Sequence, residues 1–362
     1  MARRVLKKIP MTDGLVEYDR AAQRAAVPSR APSADAEIGL TLRHIVVPLD
    51  GSKIAECVLP SVVAVARTTS ARVTLLQVLE AGGMTTARQH IDAIEWEMAR
   101  AESHAYLAAV AARLEGEDVS AQIELIQGRA PEQITLFAKR QAVDLIVLAT
   151  HGDGGIDANS LGSTVQKVIA SAPTSMLIVP AEVRSDSAPL TVQVRRMLLP
   201  LDCSPRAECI LPAATELARR HGAELVLAHV VPEPEMPRRM GPSEEDLELA
   251  RRVVERNRRA AQHYLRDVQS RLATVSDRVQ VRLCVASRSA RTLRELAERE
   301  GIDLVVLSAH GSTGDAQQRY GAVAGEFLQA GSGPPVIILQ DLGAQVREER
   351  PAQAPRPNHP YA

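Results

Sequence analysis

No run of about 18 apolar residues occurs in the sequence, so a membrane-spanning helix is not expected. The start, MARRVLKKIPMTDG, is basic at Arg3, Arg4, Lys7 and Lys8 but has no apolar core of secretory-leader length, and it reads as a solvated tail. Net charge is missing too. Forty-three Lys and Arg against 44 Asp and Glu leave −1, which excludes a global field that draws in nucleic acid or anionic membrane. The four cysteines, Cys57, Cys203, Cys209 and Cys284, include no C-x-x-C pair, and no His cluster has metal spacing. Neither a zinc site nor a redox motif is visible, no metal site is expected, and a reducing, cytoplasmic setting fits best.

What the sequence does have is a copy of itself. Residues 46–60, VVPLDGSKIAECVLP, align with 198–212, LLPLDCSPRAECILP, at a shift of 152, with 9 of 15 positions identical. Residues 143–152, VDLIVLATHG, align with 302–311, IDLVVLSAHG, at a shift of 159. The second copy has therefore gained seven residues in between, and the chain reads as two homologous domains. The expected division is a flexible tail over 1–41, a first domain over 42–181, a linker over 182–194, a second domain over 195–341 and a flexible tail over 342–362. Both tails are rich in Ala, Pro and charge, with little to bury.

Within the first copy, short runs rich in Val, Ile and Leu at His44–Leu49, Val73–Leu79, Ala121–Gln127, Asp144–Ala149 and Met176–Val179 have strand length. Between them, the segment Thr85–Leu114 places Ile91, Ile94, Met98, Ala101 and Ala105 on one helical stripe, with Leu247, Ala250, Val254, Ala261 and Val268 as its counterpart. Strands apolar on both faces, alternating with helices, mean parallel β-α-β units with right-handed crossovers. The expected class is α/β: two doubly wound domains, each a five-stranded parallel sheet of order 3-2-1-4-5 flanked by helices.

In such a sheet a ligand lies beyond the carboxyl ends of the strands, where strand order reverses, between the first and fourth strands. The first strand ends at Pro48, Leu49 and Asp50. The fourth runs into LATHGDGGIDANSLGST, where Gly152 allows a sharp turn and Gly162-Ser163-Thr164 opens a helix with a hydroxyl at a capping position. A helix start of this kind is a good anion site, and phosphate is the obvious anion. The stretch lacks the Lys-Ser/Thr ending of a P-loop, and it does not complete G-x-G-x-x-G, because Asp157 stands at the last Gly.

These residues resemble the universal stress protein family, as a tandem member covering roughly residues 42–340. ATP-binding members carry Gly, two residues, Gly, nine residues, Gly, then Ser or Thr. The first copy has Ala149, Gly152, Gly162 and Ser163 in that spacing, with Ala for the first Gly. The resemblance implies Pro48, Asp50 and the backbone of Val78 at the adenosine end, Ala149 and Gly152 along the loop, and Gly162, Ser163 and Thr164 on the phosphates of ATP, with Mg2+ as a companion ion. It also implies pairing of the last strands, here Met176–Val179 with Val336–Leu339 in an intramolecular pseudo-dimer, with room for a further homodimer. The second copy keeps Pro200, Asp202, Gly311 and Gly321, but Ser308 and Ala322 replace a Gly and the hydroxyl residue, Cys203 stands opposite Gly51, and the loop GRAPEQI becomes SRSARTL from Ser287. Its site is expected to be the weaker.

His151 and His310 recur without an evident nucleophile or carboxylate partner, and read as loop histidines making structural hydrogen bonds. Cys57 and Cys209 recur as small apolar residues of the first helix. The expected function is an ATP-binding stress-response sensor or regulator that works through protein partners and not by turnover. A nucleotide-free dimerisation module is the alternative, and a slow ATPase is a third reading that lacks a base.

Overall fold

The computed structural model describes residues 42–80, 93–152, 154, 161–183, 189–234, 243–273, 278–312 and 318–340. Both expected tails lie outside the described residues, as do Ile91 and most of the stretch 153–160. In the first half the strands are β1 (His44–Pro48), β2 (Arg72–Leu79), β3 (Ala121–Gln127), β4 (Leu145–Ala149) and β5 (Ser175–Val179). The helices between them are α1 (Leu59–Thr69), α2 (Ala93–Glu115), α3 (Ala130–Arg140) and α4 (Ser163–Ser171). The second half repeats this with strands β6 (Arg196–Pro200), β7 (Glu224–Pro232), β8 (Val279–Ala286), β9 (Leu304–Ser308) and β10 (Val336–Leu339). Its helices are α5 (Leu211–His221), α6 (Glu244–Leu272), α7 (Ser289–Arg299) and α8 (Ala322–Gln329).

Each half is doubly wound, and within each half all pairings are parallel. The first half has the order β3-β2-β1-β4-β5, and the second repeats it from the other side as β10-β9-β6-β7-β8. Alternation along the strands explains why both faces are apolar. Ile45, Val47, Leu145 and Val147 point into one core with α1, α2, α5 and α6, while Val46, Ile146 and Leu148 point into another with α3, α4, α7 and α8.

The halves join edge to edge. β5 and β10 pair antiparallel, with Met176, Leu177 and Ile178 opposite Ile338, Ile337 and Val336, so ten strands form one sheet. All six residues are buried, and burying one such side chain is worth about 1.5–3 kcal/mol. The Gln340 amide donates to Ser175 Oγ at 3.1 Å, and the Tyr320 hydroxyl lies 3.5 Å from Met176 Sδ, fastening the same seam. Antiparallel pairing sets the carboxyl ends of β1–β5 at one end of the sheet and those of β6–β10 at the opposite end.

One expectation is corrected. The α2 stripe faces the wrong way: Ile94 and Met98 are 66% and 58% exposed, and the helix instead buries Leu107, Val110, Ala111 and Leu114. The connecting segment is not devoid of core residues, because Leu190 and Val194 are buried in the core shared with α1 and α5.

At the amino ends of the strands the two halves differ. The buried His44 places Nε2 2.9 Å from Thr74 Oγ1, while its Nδ1 receives Arg72 Nη2 at 2.9 Å and lies 3.2 Å from the Gln141 carbonyl. Asp144 accepts from the amides of Arg43 and His44. At the matching place Arg196 bonds Glu224 and Glu300, and Arg282 also pairs with Glu300. A titratable imidazole in one half is a permanent charge network in the other.

Candidate functional site

The first crevice is assembled by two close approaches. A Cβ built on Gly152 would sit 1.9 Å from Asp50 Oδ2, so the carboxylate at the end of β1 occupies the space any side chain after β4 would need. The Gly162 amide donates to the Thr150 carbonyl at 2.9 Å, and a Cβ there would lie 3.3 Å from that oxygen. The start of α4 is thereby held beside the end of β4. Gly152 is thus required by the neighbouring carboxylate and not by a left-handed turn, since its φ is not positive.

Helix α4 begins at Ser163 with Gly162 as its N-cap, and among the described residues no side chain caps it. Ser163 and Thr164 therefore occupy the first two helical positions, correcting the expected capping role of the hydroxyl. The amides of Ser163, Thr164 and Val165 have no intrahelical acceptor, and the helix dipole places positive potential at the same point. This cradle fits a phosphate. Ser163 is exposed and Thr164 half-buried, while Ala149 is buried as the last residue of β4. Pro48 closes β1, and Val78 lies in the part of β2 that runs past its pairing with β1.

Asp50 does not cap the helix that follows. Its Oδ1 accepts from the Ser52 amide at 2.9 Å, closing a tight turn in which Gly51 has φ +88°. Ser52 Oγ in turn accepts from the Ala55 amide. The Asp50 carboxylate is exposed at the end of β1.

The second crevice keeps the frame with different chemistry. A Cβ on Gly311 would meet Asp202 Oδ2 at 2.1 Å, and Gly321 N donates to the Ala309 carbonyl at 2.8 Å as the N-cap of α8. Asp202 accepts from Ser204 N, Ser204 Oγ and Ser312 N. Burial alone pushes its carboxyl up, but these hydrogen bonds outweigh burial and hold it below the ordinary range. Cys203 takes φ +67° where Gly51 stands in the first half, and its Sγ lies 3.8 Å from His229 Nδ1. Burial, then the charge of Asp202, pushes the Cys203 thiol up to about 11. Burial also lowers the pKa of His229, whose Nδ1 is 2.7 Å from the Leu201 carbonyl.

The recurring histidines are buried and make hydrogen bonds. His151 Nδ1 lies 3.1 Å from Thr150 Oγ1, which accepts from the Ala181 amide, and His310 Nε2 reaches the Gln318 carbonyl. Cys57 is buried and Cys209 partly so. Among the described residues no three His, Cys, Asp or Glu side chains converge as a metal site, and no helix is long and apolar enough to cross a membrane.

A cluster behind each crevice escaped the sequence reading. Glu56, buried in the turn after Asp50, pairs with Arg113 of α2 and with Lys53 at 3.1 Å, while Glu208 pairs with Arg271 of α6 at 2.7 Å. Tyr106 and Tyr264 lie beside these acids. Burial first, then the carboxylate charge, pushes both phenols well above their ordinary range. The signal was present as the repeated Ala-Glu-Cys and a Tyr seven residues before an Arg in both α2 and α6.

Two stretches, residues 41–180 and 193–338, match the model of the universal stress protein family. A universal stress protein of Methanocaldococcus jannaschii is 27% identical over 139 residues, 38% of this chain and 81% of that one. One from Thermus aquaticus is 46% identical over 55 residues, 15% of this chain and 40% of its own length, so less than half of that relative is spanned. Among solved structures, a Pseudomonas aeruginosa protein described as functionally unknown has a TM-score of 0.58 at 15% identity, covering 84% of this chain and 95% of that one. A universal stress protein from Archaeoglobus fulgidus has a TM-score of 0.53 at 16% identity, covering 83% and 98%. At such identity the structural likeness shows the fold alone. Matched over both halves, with the same frame in each, the chain belongs to the universal stress protein family.

Proposed function

We propose that the first crevice binds ATP and that the chain is a cytoplasmic, nucleotide-dependent stress-response sensor or regulator acting through protein partners. The observation that carries this reading is the start of α4 at Gly162, held against Thr150 beside the Asp50–Gly152 contact. In that reading the amides of Ser163, Thr164 and Val165 and the Ser163 hydroxyl hold the phosphates, and Gly152 lines the loop. Asp50 and the backbone of Val78 meet the adenosine, whose ribose hydroxyls a carboxylate recognises. Mg2+ accompanies the phosphates. The second crevice binds nucleotide weakly or not at all, because Ala322 brings no hydroxyl and Asp202 is half-buried with the Ser204 hydroxyl on its Oδ1.

The chain works by binding and not by turnover. The Thr150 hydroxyl accepts from the Ala181 amide and is hydrogen-bonded to His151 Nδ1, which supports a structural role for His151. The two halves act as an intramolecular pseudo-dimer, and the β5–β10 pairing favours a second reading, a nucleotide-free interaction module. Mass spectrometry of small molecules released on denaturing the purified chain separates the two. An adenine nucleotide is expected, and a protein that carries none and ignores added ATP overturns the first reading.

A further inference from the structure

A cleft of about 490 Å³ lies between α1, α5 and the segment before β6, within the size range of small-molecule sites. Its polar lining comes from Arg67 and Thr68 of the first half, Thr191 and Gln193 of the connecting segment, and Arg220 and His221 of the second half. Among the described residues no carboxylate lines it. The acids that touch the two arginines approach from outside. Arg67 gives Nε to the Glu117 carbonyl at 2.7 Å and Nη2 to the Glu117 carboxylate at 3.0 Å, with Asp118 at 3.9 Å. Arg220 gives only Nε to Glu216, at 3.0 Å, and among the described residues its two terminal nitrogens have no partner.

Those outer bonds fix both guanidiniums without supplying a carboxylate on the cleft side. The carboxyl ends of α1 and α5 contribute about half a negative charge each, which two guanidiniums outweigh. His221 Nε2 lies 3.4 Å from the Ala64 carbonyl, so the cleft spans a contact between the halves.

We propose that this cleft is a second ligand site, for a small multivalent oxyanion held between Arg220 and Arg67. Planar guanidinium forks match phosphate and carboxylate oxygens in pairs. An anion bound here ties α1 to α5 and so raises the melting temperature of the whole chain. The site is independent of the nucleotide crevice, which lies at the carboxyl ends of the strands and shares none of these residues.

Calorimetric titration of the full chain with pyrophosphate, and separately with citrate, at constant ionic strength tests it. With the crevice kept filled by ATP, one further site per chain is expected for at least one of them; preference for pyrophosphate assigns a phosphate ligand and preference for citrate a polycarboxylate. Arg220→Gln is expected to weaken binding about tenfold or more, Arg220→Lys to recover part of it, and Ser163→Ala in the crevice to leave it unchanged. Should Arg220→Gln fail to fold, Arg67→Gln carries the same test. Absence of binding by both anions, or binding that falls in Ser163→Ala but not in Arg220→Gln, overturns the proposal.

Discussion

At the end of β1 Gly51 has φ +88°, and in the same turn at the end of β6 Cys203 has φ +67°. After the fourth strand of each half a glycine lies against the carboxylate of the first, and before the next helix a second glycine caps its start. The bends are common to both crevices, whereas the groups that would meet a ligand are not all the same: Ser163 stands against Ala322, and an exposed Asp50 that accepts from the Ser52 amide stands against a half-buried Asp202 that also takes the Ser204 hydroxyl. A retained glycine therefore says nothing about a retained ligand. Gly311 is explained by Asp202 alone.

The largest effects test that separation. Gly152→Val and Gly311→Val each force a side chain into a carboxylate and are expected to cost about 1–3 kcal/mol or more by chemical denaturation. Only the first is expected to abolish ATP binding in titration calorimetry; equal losses would mean that both crevices bind.

Acid separates the halves at their other ends. Burial is the largest cause lowering the His44 pKa, and Arg72 adds to it, while the Gln141 carbonyl and Asp144 oppose it. The folded state holds His44 neutral, and the unfolded chain takes up a proton near 6.5. The stability that neutral His44 contributes is present above that value and is lost as pH falls toward the lowered folded pKa. Amides of β1 are expected to lose exchange protection as pH falls below about 6.5 relative to those of β6, where Arg196 stands in place of the imidazole. His44→Gln should remove the difference, and equal loss in both strands contradicts the assignment.

A smaller effect sits in the tight turn. Gly51→Ala is expected to cost about 1–2 kcal/mol, because the space is adequate, with Gln77 Nε2 3.5 Å from the new Cβ, but the backbone is left-handed. Cys203→Ala is expected to change stability by less than about 0.5 kcal/mol, since that residue already bears the strain. The smallest effect is Ala322→Ser, expected to leave thermal stability nearly unchanged and to create no ATP binding while the Ser204 hydroxyl holds Asp202.

Much of this was legible in the sequence. Runs such as VDLIVLA must be strands buried on both faces, and the self-alignment shows that both halves carry the same series of them. The α2 stripe failed for a physical reason. Tertiary packing selects which apolar positions are buried. The face carrying Ser103, Leu107, Val110 and Leu114 meets the sheet, and the stripe through Ile94, Met98, Ala101 and Ala105 is left exposed on the other side. At the site, spacing located Gly152, Gly162 and Ser163. It did not reveal that Asp50 and Gly152 touch, because that contact joins residues about 100 positions apart through the β1–β4 pairing.

The central claim, one nucleotide site in a chain with two matching frames, rests most directly on stoichiometry. Calorimetric titration of the full chain with ATP and Mg2+ is expected to give one site per chain, lost in Gly152→Val and retained in Ala322→Ser. Two equivalent sites per chain, or one that survives Gly152→Val, would contradict it.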